Sequence, residues 1–489
     1  MRIRYTPINS ESEDGSVKVD RGELQPLLQS YLNLILWSLT VIVIAALYVG
    51  GVFTFLLEED FTNYSRAMEI DNFRRVIEAI DRNGLTNIQR DSLGARRFDK
   101  DAISNILANL EHENPSLKNI APLSQFDGLD YSIDVKPKCE ELWGLKRIDN
   151  TLKSSGALDA ESFSTIMIVV KSAVNNYALR QAIRKSWYIN EVRDNLIAFR
   201  TVFIVGACHE QNPVPSALPL NKAGFWSVEL CERAIRNESS HYNDIIQSTG
   251  IDTYYNNTIK TFMTYRWVVE NCPSDFVVTI DDDYVFEVNN FIDFLRGLAS
   301  IETTNSPSSS NHTNDSLKQE QEHGDELNEM AINYRINTRS RYKYIHNEQR
   351  LKVMNNLYAL SKKYLYAGFL RNYVHPLRSV FSKWYISCDD YAFNRYPPFI
   401  SGGACLMSFK TIKHFYLTSY FARLFPFDDV YAGMLAYKLG FLPEHNQSFM
   451  CSIDAYLEVK PVQANSTNCI GVHGIKPDEL IELWQKRQV

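Results

Sequence analysis

Three short runs, STIMIVV (164–170), RTVFIVG (200–206) and DFVVTI (275–280), limit what this chain can fold into. Each is a near-continuous stretch of β-branched and apolar residues, and helix-like segments lie between them. A strand that is apolar on both faces must be covered on both faces. The runs therefore predict a sheet flanked by helices, an α/β fold. Ahead of the third run, Ile259, Phe262, Met263 and Trp267 are spaced to share one face of a helix. With 45% hydrophobic and 22% charged residues over 489 positions, the chain can fill such a core. The third run ends abruptly on Asp281, Asp282 and Asp283.

A different constraint lies near the N-terminus, where no charge occurs over the 27 residues from Tyr31 to Leu57. A helix of that length reaches about 40 Å, enough to cross a ~30 Å hydrocarbon core, and it is too long and starts too late for a cleaved signal peptide. All eight cysteines follow it, as do seven Asn-x-Ser/Thr sequons at Asn63, Asn237, Asn256, Asn311, Asn314, Asn446 and Asn465. Both features fit an oxidising lumen. Lys18 and Arg21 before the run, against Glu58, Glu59 and Asp60 after it, add a modest positive-inside bias. The expected layout is a cytosolic tail (1–30), one transmembrane anchor (31–57), a stem (58–160) and a lumenal body (161–489). A polar, Ser/Asn/Glu-rich insertion at about 301–345 is too poor in apolar residues to order itself. The net charge of −7 and the absence of basic blocks argue against nucleic acid as a partner.

Four segments can carry chemistry. At the carboxyl end of a buried parallel strand, Asp281–Asp283 would sit where open α/β sheets place ligands. Like charges ~4 Å apart repel by about 4 kcal/mol at an effective dielectric of 20, so such a set calls for a cation, with Mg²⁺ or Mn²⁺ suited to oxygen ligands. The bland alternative is a solvated turn. Asp428 and Asp429 precede residues at helical spacing and read either as an acidic first turn or as a general base at a helix start. Between the two acidic sets, Gly402 and Gly403 permit close backbone approach to a ligand or simply make a tight turn. In NYALRQAIRKSWY (176–188), Arg180, Arg184 and Lys185 with Trp187 could serve a phosphate and a base ring, although basic helices are more often solvated surface.

In this order, ALRQAIRKSW, FIVG, DTYYNNTIKTFMTYRWVVENCP, VVTIDDDYVF, YPPFISGGACLMS and FDDVYAG resemble the β1,3-glycosyltransferases of glycosyltransferase family 31, from about Ser162 to Trp484. The resemblance implies a GT-A fold, a Rossmann-like mixed sheet, and an inverting Golgi enzyme of the single-pass type II class. Its partners would be a UDP-sugar donor and a glycan acceptor, with a homodimer left open and Mn²⁺ as cofactor. Carried over by position, Asp283 and Asp281 are metal ligands, and Asp282 is assigned to metal, ribose or water. Lys260, Arg180, Arg184, Trp187, Gly402 and Gly403 would line the donor site. Asp429 is the first choice for the base and Asp428 the second. His473 completes the metal shell, with His445 as the alternative. Asn257, Ala404-Cys405 and Glu287 depart from the family pattern and leave the donor open between galactose and N-acetylglucosamine. An inactive glycan-binding relative and a secreted hydrolase are the readings from other classes.

Overall fold

The three apolar runs become neighbouring parallel strands of one sheet, and the sheet's order fixes where a ligand can bind. The computed structural model describes residues 32–42, 67–84, 100–113, 122–135, 163–193, 196–210, 227–304, 347–457 and 469–488. These divide into two units: Phe61–His375 with Arg395–Val489, and Met1–Asp60 with Pro376–Asn394.

The strands of the larger unit are β1 (Tyr131–Ile133), β2 (Ser164–Lys171), β3 (Val192–Arg193), β4 (Ile197–Ala207), β5 (Ile245–Ile251), β6 (Phe276–Asp281), β7 (Tyr284–Phe286), β8 (Tyr366–Arg371), β9 (Phe399–Ser408), β10 (Glu444–His445) and β11 (Gly471–His473). Its helices are α1 (Ala67–Gly84), α2 (Lys100–Glu113), α3 (Tyr177–Arg184), α4 (Val228–Tyr242), α5 (Asn257–Asn271), α6 (Val288–Thr304), α7 (Asn347–Ser361), α8 (Phe409–Ser419), α9 (Asp428–Lys438), α10 (Ile453–Leu457) and α11 (Pro477–Gln488). The main sheet runs β1-β5-β4-β2-β6-β9-β8-β10, with β3 on the edge of β4, while β7 and β11 form a separate pair. The pairings β5-β4-β2-β6 are parallel, and β9 is antiparallel to both β6 and β8, so the α/β sheet is mixed. The chain steps outward from β2 to β4 and β5, then returns to the other side of β2 as β6. That reversal opens a crevice at the carboxyl ends of β2 and β6, the position at which doubly wound sheets bind ligands.

Burial explains the sequence pattern. From Ile166 to Val170 every residue of β2 is at most 1% exposed, and Phe276, Val277, Val278 and Ile280 of β6 are 0% exposed. Helix α5 accounts for the spacing seen before the third run, since Phe262, Met263 and Trp267 are buried along it. Cys208–Cys231 and Cys451–Cys469 are disulfides, and Cys272 is bonded as well.

Part of the expected stem is docked on the body. Val76, Ile77 and Ile80 of α1 are 0% exposed, and Arg74 Nε donates to Leu439 O at 2.6 Å. Asp81 pairs with Lys413 at 2.5 Å and with the buried His414 at 3.2 Å. In the smaller unit, residues 32–42 are helical with exposed apolar side chains such as Trp37, and Arg378 ties the loop 376–394 by donating to the carbonyls of Ile386, Ser387, Tyr391 and Phe393. Among the described residues no helix is long and apolar enough to cross a membrane. The tail, most of the 31–57 run, much of 58–160, nearly all of the 301–345 insertion, and Asn63, Asn311, Asn314 and Asn465 lie outside the described residues.

Candidate active site

The crevice is built first by strand register. Lys171 pairs with Asp281 across β2 and β6, so a cation and a carboxylate end adjacent strands at the same level. Asp282 and Asp283 make the turn from β6 into β7, and β11 lies antiparallel to β7 with His473 opposite Tyr284. His473 Nε2 thereby stands 3.4 Å from Asp281 Oδ2 and 3.1 Å from Asp283 Oδ1. Ligand atoms of Asp281, Asp283 and His473 all fall within 4.8 Å of one another. The two carboxylates raise the imidazole's pKa to about 10, so a proton is held where the carboxylates demand positive charge. Two carboxylate oxygens and one imidazole are donors that suit Mn²⁺ or a related divalent ion, and the set fits that cofactor.

Asp282 has another surrounding. It is 8% exposed and accepts from Ser172 Oγ at 2.6 Å and Asn176 Nδ2 at 2.9 Å. Burial, only partly offset by those two bonds, raises its pKa to about 6. Through Oδ2 the side chain braces the turn against the end of β2.

The second acidic pair is delivered by packing. Helix α9 starts at Asp428 after Phe427, whose side chain makes no cap bond, so neither aspartate is the N-cap. A Cβ on Gly433 would lie 2.6 Å from Phe399 Cβ and 2.8 Å from Pro398 O, closer than real side chains tolerate. Glycine at this position lets α9 lie directly on the start of β9 and brings its first turn to the crevice. Asp428 Oδ2 meets Lys171 Nζ at 2.5 Å and accepts from Thr261 Oγ1 at 3.0 Å. Asp429 Oδ1 accepts from Val430 N at 2.8 Å. Burial and the neighbouring Asp428 raise its pKa to about 7.

The two glycines lie between these acidic groups. A Cβ on Gly402 would sit 3.7 Å from Asp429 Cβ and 3.9 Å from Asp281 Oδ2, so both carboxylates border the same space. At Gly403 it would come within 3.0 Å of the His473 ring.

The four residues expected at the donor site have internal partners. Arg180, 1% exposed, donates to Glu238, Ser172 Oγ, Ala173 O and Val174 O. Arg184 is held by Asp244 and Glu238 beneath the Tyr242 ring. Trp187 is a core side chain whose Nε1 donates to Tyr284 O at 2.9 Å. Lys260 Nζ donates to Ser172 O at 2.8 Å and to Asp252 Oδ1 at 2.9 Å. These cations meet internal carboxylates, and the sequence pattern did not show that. His445, on the edge strand β10, accepts from Leu370 N instead of joining the cluster. Glu287 accepts from Asn289 N at the start of α6 and pairs with Arg487 of α11, a structural use of that departure. Lys171 was missed; its signal is a lysine ending an apolar strand beside the strand that ends in aspartates.

Two carboxylates and an imidazole gathered at the switch point of an α/β sheet, with a half-buried acid pair beside them, make this crevice the candidate active site. The family model described as Galactosyltransferase matches residues 228–335 and 343–447. Beta-1,3-galactosyltransferase brn of Drosophila melanogaster is 28% identical over 323 residues, covering 66% of this chain and 74% of its own length. Beta-1,3-galactosyltransferase bre-5 of Caenorhabditis elegans is 26% identical over 288 residues, covering 58% and 64%. N-acetyllactosaminide beta-1,3-N-acetylglucosaminyltransferase 2 of Homo sapiens is 24% identical over 324 residues, covering 66% and 62%. The chain thus spans slightly less than two thirds of the latter two relatives. It is similar to the galactosyltransferase family over those two segments, and to these β1,3-transferases over about two thirds of its length.

Proposed function

We propose that this chain is an inverting β1,3-hexosyltransferase of the GT-A type that moves galactose from UDP-galactose onto a glycan of a glycoprotein or glycolipid. One observation carries the reading: Asp281, Asp283 and His473 converge on one another, and Asp281 and Asp429 both border the space over Gly402. Asp281, Asp283 and His473 would hold the divalent ion, which when bound supplies positive charge to the departing diphosphate. Asp429 takes the proton of the acceptor hydroxyl. The acceptor oxygen bonds to C1 of the sugar as the bond from C1 to the diphosphate oxygen breaks, and the in-line geometry inverts the anomeric centre. Asp282, Ser172 and Asn176 keep the turn that carries the ligands in place.

The family description and the names of two relatives support galactose, and the human relative keeps N-acetylglucosamine as the second donor to test. The uncharged run at 31–57 and the sequons support a lumenal enzyme of the Golgi membrane. Assay with a panel of UDP-sugars and glycan acceptors tests the proposal. Transfer is expected to require Mn²⁺ and to be lost in chelator and in Asp283→Ala. Chelator-resistant transfer would remove the metal assignment, and no transfer from any donor would favour an inactive relative.

A further inference from the structure

Lys171 lies outside the residues matched by the family model, and the chemistry above does not use it. Its side chain is 9% exposed, and its ammonium meets Asp281 Oδ1 at 3.1 Å on the donor side and Asp428 Oδ2 at 2.5 Å on the acceptor side. Thr261 Oγ1 donates to the same Asp428 oxygen, so that carboxylate is firmly held. Asp429 accepts from Val430 N through Oδ1 and has Oδ2 beside the space over Gly402.

Resting on the transferase reading, we infer that Lys171 is a positioning residue joining the two halves of the site. It opposes the divalent ion at Asp281 and, by holding Asp428, leaves Asp429 as the carboxylate that faces the acceptor. A fixed positive charge 3.1 Å from a ligand carboxylate weakens that carboxylate's hold on a cation, because the two positive charges repel through a partly desolvated site. The same charge screens Asp428 from Asp429, so both acids can sit in one first turn. Removing it therefore has opposite consequences on the two sides: the metal binds more tightly and transfer slows. A lysine that only supports the fold would weaken both.

The experiment titrates Mn²⁺ into the full chain without donor, reading free Mn²⁺ by electron paramagnetic resonance, and measures kcat and KM in parallel. Lys171→Met is expected to bind Mn²⁺ roughly tenfold more tightly, from the Coulomb interaction removed. Its kcat should fall about 100-fold, within the range for disturbed acid–base catalysis. Lys171→Arg keeps the charge and should hold Mn²⁺ affinity at the wild-type value while recovering part of kcat. Asp428→Asn, which leaves Lys171 to Asp281 alone, should weaken Mn²⁺ binding. That variant decides the matter if Lys171→Met does not fold. Unchanged or weaker Mn²⁺ binding in Lys171→Met, or unchanged binding in Asp428→Asn, overturns the inference. Wild-type protein that neither binds Mn²⁺ nor transfers any UDP-sugar overturns the transferase reading instead.

Discussion

Two clusters of charge, one buried and one partly open to solvent, lie at the ends of neighbouring elements of this molecule and serve opposite purposes. Around α3, Arg180 and Arg184 face Glu238 and Asp244, two cations against two anions, joined by ion pairs of 2.7 Å. At the ends of β2 and β6, Lys171 and His473 face Asp281, Asp283, Asp428 and Asp429, so the anions exceed the cations even with the imidazole protonated. The first cluster is electrically complete and buried. The second is complete only when something positive joins it. Charge balance, rather than the presence of charge, separates a site that holds the fold from one that binds.

The largest break in this comparison comes from the open cluster. Asp429→Asn should lower transfer by about 10³-fold, within the range for a lost general base, without lowering the melting temperature. Nothing that stabilises the fold is lost, because removing a half-buried like charge beside Asp428 relieves repulsion. Wild-type turnover in the variant would take the base away from Asp429.

The closed cluster predicts the reverse outcome. Arg184→Leu leaves Asp244 and part of Glu238 as buried, unpaired carboxylates, which costs about 3–5 kcal/mol of stability. Urea denaturation should show that loss, while kcat/KM of the folded fraction stays near wild type. A fall in kcat/KM as large as that of Asp429→Asn would restore Arg184 to the donor site.

A smaller effect sharpens the contrast through pH. Burial and Asp428 lift Asp429 to about 7, and a base must be ionised to accept a proton. Transfer should therefore fall about tenfold per unit as pH drops below ~7. Asp428→Asn removes the like charge, so the acid limb should move to lower pH. A limb that does not move would place the titrating group elsewhere.

How much of this could be read beforehand follows from what sequence encodes locally. The strands were legible because burial on both faces leaves a continuous apolar run, and the carboxylates were legible because they interrupt or follow such patterns. Partners are not local. Glu238 lies 58 residues from Arg180, and Asp244 lies 60 from Arg184, so a basic helix looked available when its charges were already matched. Lys171 read as a strand terminus, since only the register of β2 on β6 shows that it faces Asp281. Trp187 followed the basic residues in sequence, yet it fills the core beneath β7, a position that no spacing rule distinguishes from a surface ring.

The smallest predicted effect concerns α1, where an expected stem element behaves as part of the body. Asp81 accepts from His414 and Lys413 of α8, and its side chain is 19% exposed, so the pair is partly screened by solvent. Asp81→Ala should cost about 1–2 kcal/mol, since it leaves the buried His414 without that acceptor while Val76, Ile77 and Ile80 still pack. Transfer should be unchanged, because neither partner of Asp81 reaches the crevice residues. If the melting temperature does not move, α1 is held by apolar burial alone. If transfer falls with stability intact, the Asp81 pair is coupled to the open cluster through α8, and charge balance within that cluster alone would not set its activity.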